Sequence, residues 1–155
     1  MRSSKKVFII SILIPLAVGA LSALLGMNGM AQYTELAKPP LSPPGFVFGI
    51  VWPILYVLMG ISSALIYQSK DARKEDALKI YAAQLAVNFF WTIFFFGLDW
   101  RLFSFFWILL LIVLVLLMIR QFSSINPLAG YLQIPYLLWL IFAAYLNLGV
   151  WFLNR

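Results

Sequence analysis

Three amides, Gln84, Asn88 and Asn147, are the side chains best placed to do directed polar chemistry, because each interrupts long apolar sequence. Gln84, Asn88, Trp91 and Phe95 follow one another at spacings of four, three and four, so they share a helix face. Pro135, Trp139, Ala143, Asn147 and Trp151 recur every four residues and form a second, gently drifting stripe. An unpaired amide in hydrocarbon is costly, which requires all three to point inward. There they either tie helices together, at roughly 0.6–2 kcal/mol each, or orient a ligand in an otherwise apolar pocket. Asn88 and Asn147 suit both roles; Gln84 reads as structural. A third face carries Trp52, Tyr56 and Met59, with Gly49 and Gly60 able to admit close neighbours. Trp52 and Trp139 each adjoin a proline in apolar sequence, which separates them from aromatics that merely face lipid.

Conventional acid–base and nucleophilic chemistry is harder to find. The chain has no histidine and no cysteine. That removes disulfides, thiolate metal sites, the usual haem ligands and the commonest general base. No metal site is expected. The acidic residues Glu35, Asp71, Glu75, Asp76 and Asp99 all fall in connections or at the ends of apolar blocks. Ion-coupled pumps generally need an acid or base within the membrane, so that class is disfavoured.

The elements that must position these residues are membrane spans. Of 155 residues, 64% are hydrophobic, gathered into blocks near 7–25, 46–67, 77–97, 102–121 and 127–153. Each is about the 20 residues that an α-helix needs to cross the hydrocarbon core. A soluble domain of this size has no way to hide so much apolar surface. The predicted fold is therefore an all-α membrane protein, a five-transmembrane-helix bundle forming one domain over 1–155. The net charge of +6 is not a nucleic-acid footprint. Arg2, Lys5, Lys6, Lys70, Arg73, Lys74, Lys79 and Arg120 fall at one end of the predicted bundle and only Lys38, Arg101 and Arg155 at the other. The positive-inside bias then puts the N-terminus in the cytoplasm and the C-terminus outside. The first block reads better as a retained helix than as a cleaved signal.

The connection over 26–45 has no apolar run and holds Lys38–Pro39–Pro40–Leu41–Ser42–Pro43–Pro44–Gly45. Its prolines favour stiff, extended backbone, and its length suits a lid over the bundle. Asn126 is a predicted N-cap with Pro127 in the first helical position, and Ser42 with Pro43–Pro44 is a similar start for the second span. Pro15, Pro53 and Pro135 are predicted kinks that free the carbonyls of Ser11, Gly49 and Tyr131. Gly19 with Ala23, and Ala82 with Ala86, have small-residue spacing suited to helix contacts or dimerisation. Trp100, Trp107 and Trp151 suit the interfacial aromatic belt.

These strings resemble the translocator protein / tryptophan-rich sensory protein (TspO/MBR) family. Lys38–Pro39 with Pro43–Pro44 is followed by Val51–Trp52–x–x–Leu55–Tyr56. Gln84–Leu85–x–x–Asn88–x–x–Trp91 with Phe95–Phe96 lies in the third block. Pro135–Tyr136–x–x–Trp139–x–x–Phe142–Ala143–x–x–Leu146–Asn147 lies in the fifth. The resemblance covers most of the chain. It implies a five-helix bundle, commonly a homodimer, with a pocket capped by the first loop. It also implies binding of porphyrins (protoporphyrin IX or haem) and related flat ligands, and in some members their degradation in light and oxygen. The pocket residues carried over are Trp52, Tyr56, Asn88, Trp91, Trp139, Phe142 and Ala143, with Asn147 on the same stripe. Tyr33, Pro43, Pro44 and Gly45 are carried over to the lid. The chain departs from the family at Gln32 and Leu41, where members often have tryptophan. Tyr145 stands too far from Arg155 to match the animal sterol motif, so cholesterol is not carried over and a bacterial cell membrane is the expected location.

The leading expectation is a membrane receptor for tetrapyrroles, with porphyrin as ligand and no cofactor required. Stacking on indole and phenyl rings would hold the macrocycle, and Lys38 or Arg101 could meet its carboxylates. The rival is a light- and oxygen-dependent porphyrin-degrading enzyme in which Trp52 and Trp139 supply electrons and the macrocycle carries the chemistry. A third reading is a facilitator of small hydrophobic molecules, or a structural membrane subunit.

Overall fold

In the computed structural model of the protein, residues 2–26, 35–98 and 100–155 are described, Arg2 and Ser3 by their backbone alone. Five helical stretches are long and apolar enough to cross a bilayer: Ser4–Leu25, Gly45–Tyr67, Lys74–Gly97, Arg101–Ile125 and Pro127–Leu153. The helices are α1 (Arg2–Leu25), α2 (Gly45–Tyr67), α3 (Lys74–Thr92), α4 (Arg101–Ile125), α5 (Pro127–Tyr131) and α6 (Ile134–Leu153). The sequence-derived block boundaries agree with these to within a few residues. The chain is a multi-pass membrane protein.

The core lies where α2, α3, α4 and α6 meet. Met59, Ile66, Ile108, Leu111, Met118, Phe122, Tyr136 and Leu140 are fully buried there. Large apolar side chains also cover the outside, including Leu13, Phe46, Phe106 and Leu138. In water such a surface would drive aggregation, but lipid tails solvate it as well as a protein core does. α1 is the least embedded span: only 17% of its most apolar window is buried, against 39% for the spans containing α3 and α6. It leans on α2 through two glycines. A β-carbon at Gly60 would stand 2.7 Å from the Ser11 carbonyl oxygen, and one at Gly19 would collide with the Tyr56 ring. Pro15, inside α1, removes the amide that the Ser11 carbonyl would otherwise accept from. The kink and the close approach therefore coincide.

Two spans depart from a continuous helix. α3 runs into a wider π-helical turn over Ile93–Gly97, closed by the Leu98 amide donating to Ile93 O at 2.9 Å. One extra residue in this turn rotates the face, so that Phe95 and Phe96 are both buried. The four-residue spacing had placed only Phe95 there. In the last span, Pro135 was expected to kink a single helix. Instead the span divides at Leu132–Gln133, and Pro135 stands in the first turn of α6. A proline ring clashes with the carbonyl four residues earlier, and starting a new helix removes that clash.

The caps divide similarly. Asn126 accepts from the Leu128 amide at 3.0 Å, with Pro127 next to it, as the sequence suggests. Ser42 does not cap α2; its hydroxyl donates to the Pro39 carbonyl at 2.7 Å, and Pro44 stands at the cap position. Trp107 is not a belt residue only, since its Nε1 donates across to the Val87 carbonyl at 2.7 Å.

The α2–α3 connection is pinned by Arg73, whose Nε and Nη2 donate to the Asp71 carboxylate at 3.0 and 2.7 Å. This fork, with the Arg73 backbone amide, lowers the Asp71 pKa to about 2. Arg73 also donates to the Ser124 carbonyl at 3.1 Å, tying the connection to the end of α4.

Candidate functional site

Two structures share the middle of the bundle: a hydrogen-bonded wall and a cavity in front of it. The wall begins with Tyr56, whose hydroxyl donates to Asn88 Oδ1 at 3.0 Å. Asn88 Nδ2 donates to the Tyr136 hydroxyl at 2.7 Å, and Tyr136 donates to Gln84 Oε1 at 2.8 Å. All three groups beyond Tyr56 have no exposed surface. This chain therefore links α2, α3 and α6 with both polar ends of Asn88 committed. A second clamp runs from Trp91 Nε1 to Asn147 Oδ1 at 3.0 Å, and from Asn147 Nδ2 to the Arg101 carbonyl at 2.7 Å. It fastens α3 and α6 to the first turn of α4.

The cavity, of about 450 Å³, lies between α1, α2 and the π-helical turn. α2 supplies Phe48, Gly49, Trp52, Pro53 and Tyr56, and the end of the third span supplies Thr92 and Phe96. The facing side of α1 is built from small residues, Gly19, Ala20, Ser22, Ala23 and Gly26, with Leu16. Their spacing of three, four and seven makes a shallow trough along the helix. Ala20, Ala23, Gly49 and Pro53 are also exposed, so the cavity reaches the outer, lipid-facing surface between α1 and α2. Trp52 and Tyr56 stack at 5.5 Å with 24° between their planes and give the wall a flat aromatic surface. Its polar groups are few. The Ser22 hydroxyl donates back to the Gly19 carbonyl at 3.0 Å.

Of the residues singled out from sequence, Trp52 and Tyr56 line the cavity. Trp139 stands one ring behind, edge-on to Trp52 at 6.4 Å and to Phe48 at 5.7 Å, its Nε1 buried without a partner. Trp91 is 6.4 Å from Trp52 and stacks on Phe95. Asn88, Trp91, Ala143 and Asn147 are packed into the bundle behind the aromatic wall. Phe142 is half-buried between Trp139 and Tyr145. The sequence had not singled out α1, although Gly19 and Ala23 were visible as a small-residue pair. Gly26, three residues beyond Ala23, was the further signal. Tyr136, the hinge of the polar chain, was visible only within the string that resembles the family.

The long connection can be followed from Glu35 onward; the expected lid residue Tyr33, like Gln32, lies outside the described residues. The proline-rich strap after Glu35 is fastened to α6. Asn154 accepts from the Ala37 amide at 3.1 Å and donates to its carbonyl at 2.7 Å. Tyr145 donates to the Pro40 carbonyl at 2.6 Å. Pro39 packs where a β-carbon at Gly149 would stand. Pro43, Pro44 and Gly45 lead from this strap into α2 and are not among the cavity-lining residues. Leu41 holds a left-handed backbone, φ 72°, with 84% of its surface exposed. That conformation is strained for a branched side chain.

The TspO/MBR family profile matches residues 11–152. A tryptophan-rich protein TspO of Archaeoglobus fulgidus is 34% identical over 145 residues, covering 93% of this chain and 94% of its own. Another tryptophan-rich protein TspO, of Chlorobaculum tepidum, is 35% identical over 124 residues, covering 79% and 78%. The Homo sapiens translocator protein is 36% identical over 130 residues, covering 80% of this chain and 75% of its own.

Proposed function

Since the chain belongs to the TspO/MBR family, we propose that it is a membrane receptor whose cavity between α1 and α2 binds planar hydrophobic molecules, porphyrins foremost. The observation that carries this reading is the match of one flat aromatic wall, Trp52 on Tyr56, to a trough of small residues opposite. That shape suits a thin, wide ring system, which gains most from stacking on an indole face. The volume of about 450 Å³ lies within the roughly 300–1,000 Å³ usual for sites that enclose drug-sized ligands. With no histidine or cysteine in the chain, a metal-free macrocycle fits better than haem held by an axial bond. Exposed small residues at the rim favour entry from the bilayer, where such ligands partition.

Titrating purified protein in detergent with protoporphyrin, while following tryptophan fluorescence, tests the reading. Saturable quenching is expected in the native protein. Ala23→Leu, which adds bulk at the exposed rim of the trough, should abolish it while the helical circular dichroism persists. Quenching that is equally strong and saturable in Ala23→Leu would remove the cavity from the proposal.

The light-dependent enzymatic reading has its own support in the contiguous indoles, with Trp52 at the cavity and Trp139 and Trp91 each 6.4 Å behind. Illuminating the porphyrin complex of the native protein and of Trp52→Phe/Trp139→Phe distinguishes the two. Equal product yields would leave binding alone. The proposed orientation puts Lys5, Lys6, Arg73, Lys74 and Arg120 on the cytoplasmic side of a bacterial cell membrane. The proposed homodimer would use the exposed Ala82 and Ala86 on α3, because Gly19 is already engaged with Tyr56.

A further inference from the structure

We propose that the groove between the start of α3 and the end of α4 is a headgroup site for an aminophospholipid, a phosphate ester that carries a protonated primary amine. The groove, about 530 Å³, is lined by Arg73, Asp76, Leu117, Arg120, Gln121 and Ser124. It shares no lining residue with the aromatic cavity.

Its depth in the bilayer is set by α4. Arg101 and Arg120 bracket the apolar part of that helix, and the intervening residues rise about 28 Å at 1.5 Å each. That is close to the hydrocarbon thickness of about 30 Å. Arg120 therefore stands at headgroup level, with Leu117 one turn deeper among the acyl chains.

Its charges are of both signs. Arg120 and Asp76 line the same groove, yet among the described residues the ion pair is Arg73 with Asp71. A cation and an anion thus face one space without joining, which a ligand bearing both charges can fill. Arg73 is already held by Asp71 and by the Ser124 carbonyl, so its remaining donors are fixed in place. Guanidinium groups recognise phosphate oxygens through paired N–H donors. A primary ammonium has three donors to satisfy. Asp76 supplies one acceptor. Gln121 Oε1, which is buried and has no partner, supplies another after rotation about its soft terminal torsion. A choline headgroup has no N–H to offer these acceptors, and a glycerol headgroup has no positive charge for Asp76.

The test is native mass spectrometry of the full chain released from nanodiscs with equal parts of phosphatidylethanolamine, phosphatidylglycerol and phosphatidylcholine. The native protein is expected to retain phosphatidylethanolamine about fivefold over phosphatidylcholine, the upper scale of one exposed ion pair. Asp76→Asn should remove that preference without reducing retained phosphatidylglycerol. Arg120→Gln should lower retention of all three lipids, since each carries the phosphate, whereas Lys79→Gln, which is outside the groove, should lower none. An Asp76→Asn protein that keeps its preference, or a Lys79→Gln effect equal to that of Arg120→Gln, would reduce the site to a general basic surface and overturn the proposal. A second arm needs no variant: stepwise N-methylation of the lipid amine should lower retention by the native protein, and a flat series would overturn it too. Soluble glycerophosphoethanolamine at equal concentration should not displace the lipid. Displacement would reject a lipid in favour of a free phosphoamine.

Discussion

The two sides of Tyr56 are built on opposite principles. Behind it, α3, α4 and α6 are joined by buried side-chain hydrogen bonds through Asn88, Tyr136, Gln84, Trp91 and Asn147. In front of it, α1 meets α2 through Gly19 and Gly60. Among the described residues, side-chain hydrogen bonding there is sparse: Gln68 Nε2 donates to Ser4 Oγ at 3.0 Å at the far end, and the Ser22 hydroxyl meets Tyr56. Hydrocarbon offers little hydrophobic drive for helices to associate, so packing and polar bonds decide which of them hold firmly. The hydrogen-bonded side is consequently full, and the side held by glycine contacts is where space remains. The amides that drew attention as ligand-orienting groups make the wall rigid, and the small residues of α1 make the room.

Substitutions can break that contrast at either side. The largest effect is expected from Gly60→Val, which drives a branched side chain into the α1 backbone near Ser11 and Ile12. Overpacking of this kind costs about 1–3 kcal/mol or more, so both thermal stability in detergent and porphyrin quenching should fall together. Asn88→Leu attacks the wall. It leaves the Tyr56 hydroxyl without its acceptor and removes a donor to Tyr136, at about 1–3 kcal/mol of destabilisation. A lower unfolding midpoint with quenching still saturable is expected, and an unchanged midpoint would show that the polar chain is not what holds α2, α3 and α6. Ser22→Ala on the loose side removes a bond within α1 and the contact of its hydroxyl with Tyr56, so stability should fall by about 0.5–1.5 kcal/mol, less than for Asn88→Leu.

Trp52→Ala sharpens the comparison from the ligand's side. Removing the stacking surface should weaken protoporphyrin about tenfold, whereas Trp139→Phe, one ring behind, should change affinity little. Equal losses would mean that the ligand reaches past Trp52 into the bundle. The smallest effect concerns the Asp71–Arg73 fork. Because the folded-state pKa of Asp71 is lowered to about 2, its contribution is fully present above the unfolded value of about 3.9. It is lost as pH falls from there through about 2. Asp71→Asn should therefore flatten a slight acid dependence of the unfolding midpoint in that window and lower the midpoint slightly near neutrality, where the native ion pair is fully formed.

Much of the architecture was legible beforehand because a bilayer imposes strict length and polarity rules. Asn126 followed by Pro127 marked the start of the last span, and the buried amides were correctly expected to point inward. What escaped were features set by neighbours. The π-helical turn after Thr92 has no compositional signature, yet it brings Phe96 to the cavity. Ser42 had the chemistry of a cap and spent it on Pro39 instead. Tyr136 carried no pattern of its own until α3 stood opposite it.

Taken alone, the residue order determined how many spans there are, where they begin and which side chains avoid lipid, because these depend on helix rise and the cost of polar groups in hydrocarbon. Only the tertiary structure decided which inward groups bond each other and which border open space. That choice depends on contacts between helices far apart in the chain, where one missing β-carbon at Gly19 or Gly60 outweighs any periodicity along a single helix.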